Sequence, residues 1–407
     1  MKRILIFSMT YAPTRIGGAE IAIQEITNRI PDSEIEFHMV TLRIDKALPT
    51  QERMGNVTVH RVGPSADIRV LTDNTPFVIQ CAKVLFPLTS FLLALKLHKE
   101  KPFDGIWAMM AAYAGFGALF FKLVHPRIPY LLTLQEGDPI PYILKKVRLV
   151  RPLFSMIFTR ADHIQTISNY LAEWATAMNY KGPLSVIPNG VDTTRFSLPI
   201  EEEEKERYRT KMRAGDKSVL LITTSRLVRK NGLDTVIEAL PLLDTHVQFV
   251  ILGTGPEESH LKELAKNRGV LDRVLFLGQV PYTELPRYLH AADIFIRPSR
   301  SEGMGNSFIE AMAAHIPVIA TQEGGIKDFL FDRDKNPDKP STGFAVNVDS
   351  PEDIAAQIQF ITSHIGEAGK TIAQAYDMVK ARYEWDEISR KMKEIFLQIP
   401  RTLQYPS

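Results

Sequence analysis

Short apolar runs alternate along the chain with longer stretches whose apolar residues recur every three or four positions. That alternation predicts a parallel sheet covered by helices. In the first half, strands are predicted at Ile4–Phe7, Glu36–Leu42, Val57–Val62, Gly105–Met109, Tyr130–Leu134, His163–Thr166 and Leu184–Ile187. Helices are predicted at Gly18–Arg29, Ile79–Lys99, Tyr113–Val124, Ile143–Thr159 and Ser168–Met178. The opening "MKRILIFSMTYAP" puts two basic residues before an apolar run, as a signal peptide does, but Ile4 to Met9 is too short for that role. A buried first strand fits it better. The longest apolar run, Ile106 to Phe121, is broken by Gly115 and Gly117 and is short for a bilayer, so no transmembrane segment is predicted.

A second series follows "EEEEKERYRTKMRAGDK" (Glu201 to Lys217), acidic at its start and basic at its end, which reads as an exposed helix aligned with its own dipole. Strands are then predicted at Val219–Thr223, Val247–Leu252, Val274–Leu277, Ile294–Arg297 and Pro317–Ala320. The matching helices are Asn231–Leu240, Glu257–Arg268, Tyr282–Ala291 and Ser307–Ala314. Two consecutive α/β series imply two Rossmann-like domains with a cleft between them, and ligands on such sheets sit beyond the carboxyl ends of the strands. The tail, Glu384 to Ile399, spaces Trp385, Ile388, Met392, Ile395 and Phe396 as one face of an amphipathic helix.

Bulk composition narrows the class. A chain of 407 residues is long enough for two or three domains, and 45% hydrophobic with 24% charged residues is the balance of a soluble globular protein. A net charge of +2 gives no electrostatic case for nucleic acid. Cys81 is the sole cysteine, so no internal disulfide forms and a reducing, cytoplasmic compartment fits.

Candidate chemistry gathers at strand ends. In "YAPTRIGGAE" (Tyr11 to Glu20), Gly17 and Gly18 precede a helix, where backbone N–H groups can meet an anion; a ligand-free turn explains the segment equally well. In "TTSRLVRKNGLDTVIEAL", Arg226 and Lys230 follow a strand and precede Gly232, a pairing suited to holding a diphosphate, with a solvated basic turn as the alternative. Gly253 and Gly255 of "ILGTGPEESHL" repeat the strand–glycine–helix plan, with close approach by a nucleoside or plain backbone packing as the two readings. "RPSRSEGMGNSFIEAMAAHIPVIAT" (Arg297 to Thr321) carries Glu302 and Glu310. Ser307 and Glu310 match a capping box, which accounts for Glu310 but not for Glu302; alternatively both carboxylates bind sugar hydroxyls while the amides of Gly303 to Asn306 face phosphate. Asp332-Arg333-Asp334 reads as a surface loop rather than a metal site, and His38, His60, His163 and His246 as structural residues in or beside strands.

Taken together, in order and spacing, these segments resemble the retaining family 4 glycosyltransferases of GT-B fold. "VIPNGVDTTRF" (Val186 to Phe196) and "VLFLGQVPYTELPRYLHAADIFIRPS" belong to the same resemblance, which covers nearly the whole chain. It implies a nucleoside-diphosphate sugar as donor and co-substrate, with no metal and no other cofactor. Arg226 and Lys230 would bind the diphosphate, with Gly17 and Gly18 against it. Glu302 would contact the transferred sugar, Glu310 the ribose, and Gly303, Met304, Gly305, Asn306 and Ser307 the sugar or phosphate. The implied domains are 1–188 with 384–407 on the acceptor side and 189–383 on the donor side. Where many relatives carry His, this chain has Gln135, an amide that cannot act as a base at neutral pH; Gln135 and Asp138 become acceptor-binding candidates. His315 stands where relatives usually have Gly, at a helix end, which implies a structural effect. The alternatives are a nucleotide-sugar-binding protein without turnover, and an epimerase or phosphorylase of the same fold. The acceptor would be a saccharide or lipid-linked. "ILKKVRLVRPLFSMIFTR" and "LFPLTSFLLALKLHKEK" combine basic residues with an apolar face, suited to peripheral association with the inner face of an anionic membrane or to ordinary packing with a basic solvent face.

Overall fold

The computed structural model describes residues 1–13, 17–65, 77–215 and 217–398, and the chain divides into two compact units, Met1–Asn189 with Trp385–Ser407, and Gly190–Glu384. The first unit holds an eight-stranded sheet built from β1 (Lys2–Phe7), β2 (Ile35–Leu42), β3 (Gln51–Met54), β4 (Val57–Val62), β5 (Gly105–Met109), β6 (Tyr130–Leu134), β7 (His163–Thr166) and β8 (Leu184–Val186). Its order is β3-β4-β2-β1-β5-β6-β7-β8, parallel throughout except for the β3–β4 pair. Ile4 to Phe7 are all fully buried, as expected of a parallel strand covered on both faces. The sequence prediction omits β3. Its residues, Gln-Glu-Arg-Met, are mostly polar because this edge strand is half exposed, and the tight turn at Gly55 (φ +57) and Asn56 is what pairs it with β4.

Helices α1 (Gly18–Asn28), α2 (Phe77–Glu100), α3 (Ala114–Val124), α4 (Ile140–Lys146), α5 (Arg151–Thr159) and α6 (Asn169–Ala177) lie between and after these strands. The single helix predicted over Ile143–Thr159 is in fact α4, a short 3-10 turn at Arg148–Val150, and α5. Pro152, at the start of α5, cannot donate the amide a continuous helix needs, so the axis is broken there. The longest apolar helix among the described residues is α2, and the Ile106–Phe121 run splits between β5 and α3; by length and composition alone α2 would reach across a membrane, but its inner face is buried against the sheet, as that of a domain helix is.

The second unit carries β9 (Val219–Thr224), β10 (Val247–Leu252), β11 (Val274–Gly278), β12 (Ile294–Arg297), β13 (Val318–Thr321) and β14 (Phe344–Val346) in the parallel order β11-β10-β9-β12-β13-β14. Around it lie α7 (Thr193–Ser197), α8 (Glu202–Lys211), α9 (Leu233–Ala239), α10 (Glu258–Asn267), α11 (Leu285–His290), α12 (Asn306–Ala313), α13 (Pro351–Ser363) and α14 (Ile365–Arg382). One core cluster joins Leu221, Phe249, Ile251 and Ile296 of the sheet to Val236, Leu261 and Ile354 of α9, α10 and α13. The strand β14 and helices α13 and α14 carry no sequence prediction. Last comes α15 (Trp385–Gln398), which belongs to the first unit: Trp385, Ile388, Met392 and Phe396 are buried against the same cluster as Ile4, Ile6 and Ile23. The predicted end of this helix at Ile399, and Thr14 to Ile16 of the glycine loop, lie outside the described residues.

Candidate active site

In the second unit the loops after β9 and β12 leave the carboxyl ends of neighbouring strands, and the sequence binds them together. Gly232 ends the 3-10 turn Arg229–Asn231 with φ +70, and a Cβ there would sit 2.1 Å from the Pro298 carbonyl. Only glycine lets the two loops approach so closely. Arg300 crosses the same gap, donating two bonds to Asp234 at 2.9 and 2.8 Å, while its own amide donates to the Lys230 carbonyl at 2.7 Å. Lys230 is thereby brought over the second loop, with its Nζ 3.9 Å from Glu302 Oε1. Arg226, earlier on the β9 loop, is exposed.

Glu302 is held on every side. Its Oε2 accepts from Arg297 Nη2 at 2.9 Å, its Oε1 from the Gly303 amide at 3.0 Å, and its carbonyl accepts from the Gly325 amide at 3.0 Å. Gly324 (φ +59) permits that last contact, since a Cβ there would lie 2.0 Å from the same carbonyl. The organising group is Arg297, which the sequence reading does not nominate. It is the last residue of β12, its side chain is 7% exposed, and its Nη1 donates to Ser307 Oγ at 2.8 Å and to the Thr224 carbonyl at 3.3 Å. Its guanidinium also lies 4.2 Å from the centre of the Phe308 ring. Burial works against its charge, while Glu302 and Glu310 favour it. A charge ending the apolar strand Ile294–Arg297 was the available signal.

The capping-box reading of Ser307 and Glu310 is corrected here. Helix α12 begins at Asn306 with Gly305 (φ +88) before it and no side-chain cap, and the Ser307 hydroxyl is engaged by Arg297 instead. Glu310 is buried on the inward side of the helix, and burial pushes its carboxyl up to about 7 against the opposing pull of Tyr282, Arg297 and Arg195. Gly303 and Met304 are buried and Asn306 is half-buried, so these amides line the turn between Glu302 and the start of α12. Backbone packing accounts for glycine at 253 and 255: Cβ atoms there would lie 1.9 Å from the Ser225 carbonyl and 2.3 Å from that of Leu227. Asp332 is buried, where a surface loop is expected, and its carboxylate accepts the amides of Asp334 and Ala345 at 2.9 Å each.

The remaining candidates lie in the first unit. Gly17 caps α1, and its amide donates to Glu20 Oε2 at 2.9 Å; Gly18 is the first helical residue. Gln135 follows β6, is buried, and exchanges two amide hydrogen bonds with Asn189, both 3.1 Å. Asn189 is a partner the sequence reading does not nominate, although it stands in the "IPNG" turn. Next to the pair, Glu136 is buried and accepts the Ala111 amide at 2.6 Å and the Gln135 amide at 3.0 Å; burial pushes it up to about 7. It pins the β5–α3 loop, where Met110 (φ 71) and Tyr113 (φ 56) hold left-handed backbone. Asp138 is exposed and stands apart from this pair.

Two family models divide the chain between them: Glycosyltransferase Family 4 matches residues 16–195, and Glycosyl transferases group 1 matches 204–378. A GDP-mannose-dependent alpha-(1-6)-phosphatidylinositol monomannoside mannosyltransferase of Mycobacterium tuberculosis is 30% identical over 97% of this chain and 98% of its own. The chain belongs to the family 4 glycosyltransferases. Alpha-monoglucosyldiacylglycerol synthase of Streptococcus pneumoniae is 27% identical over 81% of this glycosyltransferase and 74% of that protein. Among solved structures, sucrose-phosphate synthase from Thermosynechococcus elongatus superposes with a TM-score of 0.81 at 19% identity, covering 98% of this chain and 99% of that one. The Anabaena protein HepE in complex with UDP and glucose gives 0.75 at 18%, covering 98% and 100%. The glycosyltransferase has the GT-B fold.

In chemical terms, the second unit of this glycosyltransferase presents cations, carboxylates and a turn of amides within one loop pair. Such a set binds a polyanion through the cations and amides, and hydroxyl groups through the carboxylates.

Proposed function

We propose that the enzyme transfers a hexose, with retention at the anomeric carbon, from a nucleoside-diphosphate sugar to a lipid-linked acceptor at the inner face of an anionic membrane, without a bound metal. The observation that carries the reading is Glu302 clamped by Arg297 with Lys230 3.9 Å away: a carboxylate fixed beside a cation at the mouth of a parallel sheet. In this reading Arg226 and Lys230 hold the diphosphate and stabilise the negative charge that grows on it as the glycosidic bond breaks. Glu302 accepts hydrogen bonds from the transferred sugar's hydroxyls, Glu310 from the ribose, and the amides of Gly303 to Ser307 face sugar or phosphate. Gly17 and Gly18, at the start of α1 in the first unit, are read as phosphate-facing residues in the same way. The Gln135–Asn189 amide pair meets acceptor hydroxyls, and the exposed Asp138, farther along the same loop, offers a carboxylate to the acceptor. An amide pair binds hydroxyls without accepting their proton, so the departing phosphate takes the acceptor's proton as the new bond forms.

Relatives named for GDP-mannose and for lipid acceptors support the choice of first substrates. The test is release of nucleoside diphosphate from GDP-mannose and UDP-glucose in the presence of phosphatidylinositol mannosides or glucosyldiacylglycerol. Product linkage is read by NMR, and each run is repeated in EDTA. The expected result is turnover with one donor, an anomeric configuration equal to the donor's, and no loss in EDTA. Inversion, or a metal requirement, would overturn the respective part.

A further inference from the structure

Helix α2 is apolar on both faces. Its inner face, Ile79, Ala82, Phe86, Ser90 and Ala94, is buried at helical spacing and packs on β2, β4 and α3. Its outward face carries Val84, Leu85, Leu88 and Leu92, which are 49–70% exposed. A helix on the surface of a soluble domain normally turns polar residues outward, so this face is built for something other than water. The same helical layer continues through α3 to α5. At the α4–α5 junction Leu149 is 87% exposed, with Val150 and Tyr142 exposed beside it. Lys145, Lys146, Arg148 and Arg151 flank these apolar tips along the chain, and the sole acidic residue within Phe77–Glu100 and Ile140–Arg160 is Glu100, at the last position of α2 and 4.0 Å from Lys96.

We infer that this layer is a membrane-docking surface whose occupant is the headgroup and upper acyl region of an anionic lipid monolayer. Apolar side chains flanked by cations, with no carboxylate among them, match such a monolayer in both polarity and charge. α2 lies in the interface rather than across it, although its length and composition suit a span. Crossing would pull Phe86, Ser90 and Ala94 out of their packing against the sheet, whereas lying flat buries the outward stripe and leaves the inner face where it is. Leu149 and Val150 enter at the second point, and the cations of α4 and α5 meet lipid phosphates. The inference shares the lipid acceptor with the proposed function but is read without donor or acceptor, so loss of docking and loss of turnover are separate results.

The experiment is sedimentation of the full chain with vesicles of phosphatidylcholine, with and without phosphatidylglycerol, at low and high salt. Binding that needs phosphatidylglycerol and weakens with salt is expected. Leu85→Glu/Leu88→Glu should abolish it. Lys145→Gln/Lys146→Gln/Arg148→Gln should weaken it by roughly a hundredfold, at about fivefold per cation. As these residues face solvent, the melting temperature should not move, which separates docking from misfolding. The Leu149→Trp variant should show a blue-shifted indole emission on vesicles. Absence of vesicle binding, full binding by the glutamate variant, or an unshifted emission from the Leu149→Trp variant would overturn the inference. So would a dimer in sedimentation equilibrium that Leu85→Glu/Leu88→Glu dissociates, since the face would then be a protein interface.

Discussion

Arg297 offers the sharpest test of how the donor-side site is held. Its buried guanidinium donates to Glu302, to Ser307 and to the Thr224 carbonyl, so Arg297→Met removes three charge-assisted bonds at once. Glu302, 12% exposed, would keep only the Gly303 amide and Lys230 at 3.9 Å. Removing one partner of a buried pair costs about 3–5 kcal/mol, because the other charge is left desolvated. For a unit of this size 1 kcal/mol moves the melting temperature by about 2–4 °C, so a fall of roughly 6–20 °C is expected for the unit spanning 190–384. Calorimetry of the full chain measures it. The reasoning also demands a coupling: Glu302→Gln in the Arg297→Met background removes the stranded charge, so the double variant should melt above the Arg297→Met single. A Met variant within about 2 °C of the parent, or a double variant lower than the single, would refute the account of Arg297 as the counter-charge of Glu302.

Other outcomes follow from the same geometry. Arg226→Ala and Lys230→Ala should each lower kcat by about 10²–10³, the loss typical of one group that stabilises developing charge, with little change in melting temperature; unchanged rates would remove them from the mechanism. Gly232→Ala should cost both stability and nucleotide affinity, because its Cβ would lie 2.1 Å from the Pro298 carbonyl, whereas Gly278→Ala, with open space at its Cβ, should cost only the strain of a positive φ. Glu136 and Glu310 both have carboxyls raised from 4.5 to about 7, so each stabilises the fold fully below pH 4.5 and loses that contribution as pH rises to 7. The loss is about 3 kcal/mol each. Melting curves between pH 4.5 and 8 should show Glu310→Gln flattening the decline; an undiminished slope would show that Glu310 is not its source.

Much of the site was legible along the chain because its signals are local. Glycines beside cations after an apolar run mark a loop at a strand's carboxyl end, and the spacing of Arg226, Lys230, Glu302 and Glu310 could be read without coordinates. Arg297 escaped because a charge ending an apolar strand is only half a signal: the strand's pattern points to it, but not to whether solvent or two carboxylates surround it. The Ser307–Glu310 spacing misled for the opposite reason. It satisfies a local capping rule, but Arg297 takes the serine hydroxyl and Gly305 starts the helix. Asn189 sits 54 residues from Gln135, a separation over which no periodicity carries information.

The order of elements, the two α/β series and most strand positions follow from hydrophobic periodicity, because a parallel strand covered on both faces must be apolar along its length. Two strands went unseen: β3, a polar hairpin edge outside that rule, and β14, which obeys it but follows a long polar loop and offers only three residues, Phe344–Val346, to read. Tertiary packing alone decided which glycines serve close backbone approach, which carboxyls are raised by burial, and that Arg297 sits at the centre of the donor-side cluster. It also decided the character of α2, whose apolar residues read alike on every side until the sheet claims one face and leaves the other exposed. Periodicity reports what a segment can bury; only the neighbouring segments determine what is buried.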